Sequence, residues 1–125
     1  MIYLDTHVVA WLCEGLTEKL SKTARRLLDQ NDLLISPMVR LELQYLYEIK
    51  RCSRAPHLML DDLQSQIGLS VCDLSFDLVV GKATEISWTR DPFDRLIVAH
   101  AACRGAQLLT KDAAIRRHVK FAVWS

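Results

Sequence analysis

Residues 1–15 read "MIYLDTHVVAWLCEG", and the fold class turns on how this stretch divides. "MIYLD" is a short apolar run closed by an acid, and it reads as a buried strand. From Thr6 onward the apolar positions recur at helical spacing and stop at Gly15, a residue suited to the left-handed turn that ends a helix. A short buried strand that passes directly into a helix is therefore expected at the start of the chain.

The same alternation continues outward from there. "TEKLSKTARRLLDQND" (17–32) reads as one polar amphipathic helix with Leu20, Ala24, Leu27 and Leu28 on its apolar side. "LLIS" (33–36) is a second strand. Ser36-Pro37 opens a helix to about Lys50, with serine as cap and proline at the first helical position. Another helix is expected from Pro56 to about Ile67, and "LSVCDL" (69–74) is a third strand. "SFDLVVGKATEI" (75–86) is a helix with Ser75 as its cap. "DPFDRLIVAHAACRG" (91–105) is a helix closed by Gly105. "QLLT" (107–110) is a fourth strand, "KDAAIRRH" (111–118) a short helix and "KFAVW" (120–124) a fifth strand. Short apolar strands alternating with helices predict a central parallel sheet covered on both faces, with right-handed crossovers. The expected fold is a single three-layer α/β/α domain over residues 1–125.

Composition fits that fold. Half of the 125 residues are apolar and a quarter are charged, which suits one domain with one core. No apolar run is long enough to cross a membrane. The N-terminal stretch lacks the basic leader and cleavage site of a signal peptide. Cys13, Cys52, Cys72 and Cys103 form no CxxC pair. Cys13, Cys72 and Cys103 lie inside apolar patterns and read as buried free thiols, as expected in a reducing cytoplasm. The formal net charge is +1, so overall charge does not announce a nucleic-acid binder. Contacts to nucleic acid would have to come from local patches: Arg40, Lys50, Arg51 and Arg54, or Lys111, Arg116, Arg117 and Lys120.

Ligands of open parallel sheets bind beyond the carboxyl ends of the strands. Asp5 ends the first strand, and Asp112 follows the fourth through Thr110 and Lys111. Helices that return antiparallel to the strands bring their N-termini to the same rim. That adds Asp94, in the first turn of its helix, and Glu42, about 8 Å along its own helix axis. Glu42 falls among Met38, Val39, Tyr45, Leu46 and Ile49 on an apolar stripe, where a carboxylate is costly unless paired, protonated or bound to a cation. Each acid also has an ordinary explanation. Asp5 and Asp112 each precede a helix as N-caps do, and Asp91, with proline next and an acid at 94, is the strongest capping pattern of all. Those explanations do not say why four acids share one rim. Crowded carboxylates repel, and a divalent cation relieves the repulsion. An all-oxygen set suits Mg²⁺ or Mn²⁺ rather than zinc. On this reading Asp91 mainly caps and Asp94 faces the metal.

The histidines offer less. His7 lies close enough to Asp5 to touch a substrate, His100 reads as a satisfied core residue, and His57 and His118 as surface residues. No GxSxG elbow, Cys-His pattern or glycine-rich phosphate loop is present.

With the acids in place, the sequence resembles the PIN-domain ribonucleases, specifically the VapC toxins of toxin–antitoxin pairs. The matching segments are "YLDTHVVAW" (3–11), "SPMVRLELQYL" (36–46), "RDPFDRLIVAHA" (90–101) and "LLTKD" (108–112). The family's acids carry over onto Asp5, Glu42, Asp94 and Asp112. Asp91 matches a subgroup pattern, while Thr6, Ser36 and Thr110 match polar positions near the site. The resemblance implies a Mg²⁺- or Mn²⁺-dependent endoribonuclease that attacks RNA phosphodiesters in line. Asp5, Asp94 and Asp112 would hold the metal, and Glu42 would complete the shell or orient water. It also implies a homodimer and a VapB-type antitoxin partner, together forming a hetero-oligomer that binds its own promoter. Two alternatives remain. One is a non-catalytic interaction module that kept the fold. The other is a receiver-like phospho-acceptor domain, which the solitary Asp5 and the absence of an acceptor in "LSVCDL" disfavour.

Overall fold

The computed structural model describes residues 1–125. Strand β1 (Ile2–Leu4) leads into helix α1 (Thr6–Glu14), and a 3-10 turn (Thr17–Lys19) precedes α2 (Lys22–Gln30) and β2 (Leu33–Ile35). Helices α3 (Pro37–Glu48) and α4 (Pro56–Ile67) follow, then β3 (Ser70–Val71), α5 (Phe76–Ala83) and α6 (Pro92–Arg104). Strand β4 (Gln107–Leu109), helix α7 (Ala113–His118) and strand β5 (Ala122–Val123) complete the chain.

All strand pairs are parallel, in the order β3-β2-β1-β4-β5. Tyr3 pairs with Leu34 of β2 on one side and Leu108 of β4 on the other. Successive side chains of a strand point to opposite faces. Ile2, Tyr3 and Leu4 are all 0% exposed, so helices cover both faces of the sheet, as a three-layer α/β/α fold requires. The order also defines a switch point. From β1 the chain moves outward to β2 and β3, whereas from β4 it moves the other way to β5. The connections after β1 and β4 therefore diverge and leave a crevice at the carboxyl ends of these two strands.

Several local expectations need correction. The stretch 17–32 is not one helix. Leu20 is extended, and Ser21 starts α2 by accepting from the Ala24 N–H at 3.0 Å. The Ser21 hydroxyl also donates to the Trp124 carbonyl, which ties this cap to the C-terminal strand. A serine inside an apparently continuous polar pattern thus begins a new helix, because its oxygen satisfies a first-turn N–H. Ser75 holds the cap position of α5 but makes no side-chain cap bond. Cys52 and Cys72 are the buried thiols, Cys13 and Cys103 are partly exposed, and all four are free. Only Ser70 and Val71 of "LSVCDL" join the ladder, and both are exposed at the sheet edge. No helix is long and apolar enough to cross a membrane.

The stripe on α3 also differs from its expected position. Val39 and Leu43 are buried, whereas Tyr45 is 52% and Ile49 44% exposed. Glu42 therefore stands at the margin of the buried face. A helix of this pitch has apolar residues on most of its circumference here, and only tertiary contact decides which arc is covered.

Candidate active site

Asp5 leaves β1 at the switch point. Its N–H donates to the Leu109 carbonyl at 3.0 Å, which extends the β1–β4 ladder by one bond. Asp5 is buried, 5% exposed, so both of its carboxylate oxygens need partners. Oδ1 accepts from the Thr6 N–H at 2.8 Å, capping α1, and Oδ2 accepts from the Thr110 hydroxyl at 2.6 Å. Thr110 in turn accepts from the Asp112 N–H at 3.0 Å. Asp112 Oδ1 accepts from the Ile115 N–H at 2.9 Å and caps α7. The two strand ends are thus joined through Thr110, and each acid serves as a cap while facing the crevice.

The Thr6 hydroxyl donates to Glu42 Oε1, linking α1 to α3. Asp91 is exposed and caps α6, its Oδ1 accepting from Phe93 N–H at 2.8 Å and Asp94 N–H at 3.2 Å. That cap fixes the first turn carrying Asp94. Asp5, Thr6, His7, Glu42, Leu46, Asp94 and Asp112 together line one cleft of about 170 Å³. Larger cavities exist, such as one of about 430 Å³ beside Trp88 and one of about 400 Å³ beside β3, but neither gathers more than one acid. Charge rather than size singles out the smaller cleft.

The electrostatics show what crowding does there. Burial, then the negative charges of Asp91, Asp5, Asp112 and Glu42, push Asp94 up to about 7. Burial raises Glu42 as well, and the Thr6 hydrogen bond opposes that rise while Asp5 and Asp91 add to it. Burial lowers His7, against the pull of Asp5 and Asp112. Its Nε2 accepts from the Lys111 N–H at 2.9 Å, and its Nδ1 lies 3.7 Å from Asp5 Oδ2. Such a set of hard carboxylate oxygens with unrelieved mutual repulsion fits Mg²⁺ or Mn²⁺ by donor chemistry. Asp5, Glu42 and Asp112 each accept a hydrogen bond from the protein, and no three acids, histidines or cysteines are grouped closely enough here to hold one ion.

Every acid on the expected rim is therefore in the cleft, and so is Thr6. Asp91 and Thr110 stand behind it as supports. Ser36 does not line it. Ser36 is buried, caps α3 by accepting from Met38 N–H at 3.1 Å, and lies 2.7 Å from His100 Nδ1 on α6. It thereby fixes the helix of Glu42 against the helix of Asp94. His100 is a satisfied core histidine, also 3.0 Å from the Leu96 carbonyl. Of the residues lining the cleft, Leu46 is marked in the sequence only as an apolar neighbour of Glu42 on α3. Beside it lie Trp11 and Trp124, whose aromatic cluster with His7 was not anticipated. Trp11 shares a helix face with His7 at a four-residue spacing, a signal present in the sequence. Trp124 had none, since it arrives from the other end of the chain.

Comparison with known proteins identifies the family and the fold. The PIN-domain family matches residues 2–120. No curated protein matches in sequence. Among solved structures, VapBC2 from Rickettsia felis, bound to a DNA fragment from its promoter, contains a chain of 24% identity and TM-score 0.70, with both chains covered completely. VapBC-1 from nontypeable Haemophilus influenzae gives 17% identity and TM-score 0.67 over 100% of this chain and 97% of the other. DNA-bound VapBC from Salmonella typhimurium gives 21% and 0.66 over 97% and 93%. At these identities the likeness is one of fold.

Proposed function

This chain belongs to the PIN-domain family, and from that membership we propose that it is a metal-dependent endoribonuclease of the VapC toxin type. The observation that carries the proposal is the convergence of Asp5, Glu42, Asp94 and Asp112, from four separate segments, on one cleft at the sheet's switch point. Asp5, Asp94 and Asp112, with Glu42 completing the set, would hold a Mg²⁺ or Mn²⁺ ion, which supplies positive charge against the phosphate oxygens and the attacking water.

The chain's own groups do the rest. Thr110 and the Thr6 N–H fix the carboxylate of Asp5 in one orientation. Thr6 holds Glu42 toward the cleft, where it orients a water for in-line attack on phosphorus. Bond formation from that water is matched by cleavage of the bond to the leaving ribose oxygen. Asp91 and Ser36 act as positioning residues, through the first turns of α6 and α3 respectively.

The VapC assignment is supported by the full-length likeness to chains of VapBC complexes. It carries a VapB-type antitoxin as partner, a homodimer, a toxin–antitoxin hetero-oligomer and a cytoplasmic place of action. Total RNA incubated with Mg²⁺ should be cut by the wild type, spared by Asp5→Asn, and spared by both after chelation. Equal cutting by the two proteins, or none by either, would sink the catalytic reading. The second outcome favours a non-catalytic interaction module.

A further inference from the structure

A second feature adjoins the acidic cleft. His7, which lines the cleft, packs on Trp11 with ring centroids 4.9 Å apart, and Trp11 meets Trp124 edge-on at 6.0 Å. Trp124 is buried, so it backs the cluster, whereas Trp11 is only partly covered. Two ammonium groups lie over the Trp11 ring. Lys19 Nζ lies 5.4 Å and Lys111 Nζ 5.8 Å from its centroid. Both lysines are exposed and neither forms a salt bridge.

A core function for Trp11 would explain its contact with Trp124. It does not explain two exposed lysines, neither in a salt bridge, over a partly exposed indole next to a cleft walled by acids. Exposed lysines are strongly hydrated and mobile, so each cation–π contact contributes little by itself. Their value lies in the charge they place there. A partly exposed ring whose covering ammonium groups can swing aside suits an unpaired nucleotide: the base takes the place of an ammonium on the ring, and the ammonium neutralises the phosphate. The position is also suited to a polymer. Lys111 adjoins Asp112, and its backbone N–H holds His7, so Trp11 and Lys111 share their segments with two of the four acids, Asp5 and Asp112.

We propose that Trp11, Lys19 and Lys111 form a binding subsite for one unpaired nucleotide adjoining the cleaved phosphate of RNA. The base stacks on Trp11, and Lys19 and Lys111 take its backbone phosphate. The proposal rests on the ribonuclease reading and deepens it, since it assigns residues outside the acidic cleft to holding the RNA beside the cut. Base stacking is indifferent to base identity, so this subsite selects for an unpaired strand rather than a sequence.

The test uses the full chain with a short single-stranded oligoribonucleotide. Two readouts are taken: cleavage kinetics with Mg²⁺, and equilibrium binding with chelator present. Trp11→Ala should raise KM and the dissociation constant about tenfold or more, with kcat little changed, because a stacked base is held alike before and during reaction. Trp11→Phe should keep most of the affinity, and Lys19→Glu should weaken binding most at low salt. An RNA that lacks the stacked base should bind wild type as weakly as intact RNA binds Trp11→Ala, and Trp11→Ala should no longer tell the two RNAs apart. If wild type cuts no RNA yet binding still depends on Trp11 and on that base, the subsite stands and the ribonuclease reading falls. If wild type cuts, and Trp11→Phe and Lys19→Glu retain its KM while Trp11→Ala changes only melting temperature or kcat, the subsite is overturned and Trp11 is structural.

Discussion

Asp91 closes its carboxylate on the first-turn N–H groups of α6, while Asp94 one turn further turns toward the other acids. Their roles should separate experimentally. Loss of the Asp91 cap in Asp91→Ala is expected to cost about 1 kcal/mol of stability, as lost N-caps do, and to leave measurable cleavage; denaturant melts and an RNA assay on one preparation check both. Asp94→Asn should abolish cleavage. It should also alter the pH dependence of stability. The folded protein keeps a proton on Asp94 up to about 7, whereas an unfolded chain releases it near the ordinary value of 3.8. Between those limits the folded state binds more protons than the unfolded state. The stability due to this group is therefore complete below about 4 and is lost as pH rises to about 7. Metal-free wild type should show that decline in thermal melts from pH 4 to 7. Asp94→Asn should lack that component, and Mg²⁺ should flatten it in wild type by replacing the proton.

At the scale of elements, β1 and β4 are neighbours whose connections diverge, and Thr110 bridges them by donating to Asp5 and accepting from Asp112. Thr110→Val keeps the shape and removes both bonds. It should destabilise the fold by about 1–3 kcal/mol, through a buried carboxylate that loses a donor. It should weaken Mg²⁺ binding by about 10- to 100-fold, as changes behind a ligand do. Calorimetric titration of the ion decides the second point, and unchanged affinity would show that Thr110 does not orient Asp5. Elements were largely legible in sequence because caps and stops are local chemistry. Asp5, Ser36, Asp91 and Asp112 begin helices, and Gly15 and Gly105 end them with φ of 71° and 63°. The break at Leu20–Ser21 was not legible, since the polar pattern runs through it and the Ser21 bond to Trp124 depends on a distant strand.

For the molecule as a whole, strand order places the cleft, and metal binding should report on the fold that creates it. An ion that binds only the folded state raises stability by about 2.7 kcal/mol at a hundred times its dissociation constant. Mg²⁺ should thus raise the melting temperature of wild type and fail to do so for Asp94→Asn; an equal rise in both would place the ion elsewhere. The sequence by itself determined the α/β alternation, the helix caps and the identity of the acids, because these depend on residue type and spacing over a turn or two. It also carried the expectation that the acids share one rim, since parallel strands and returning helices leave few ways to arrange their ends. Tertiary structure alone decided which arc of α3 is buried, leaving Glu42 at its margin. It decided that Ser36 locks two helices together without entering the cleft, and that Trp124 arrives beside Trp11 and His7. Those outcomes depend on contacts between residues far apart in the chain, and no local periodicity encodes the partner.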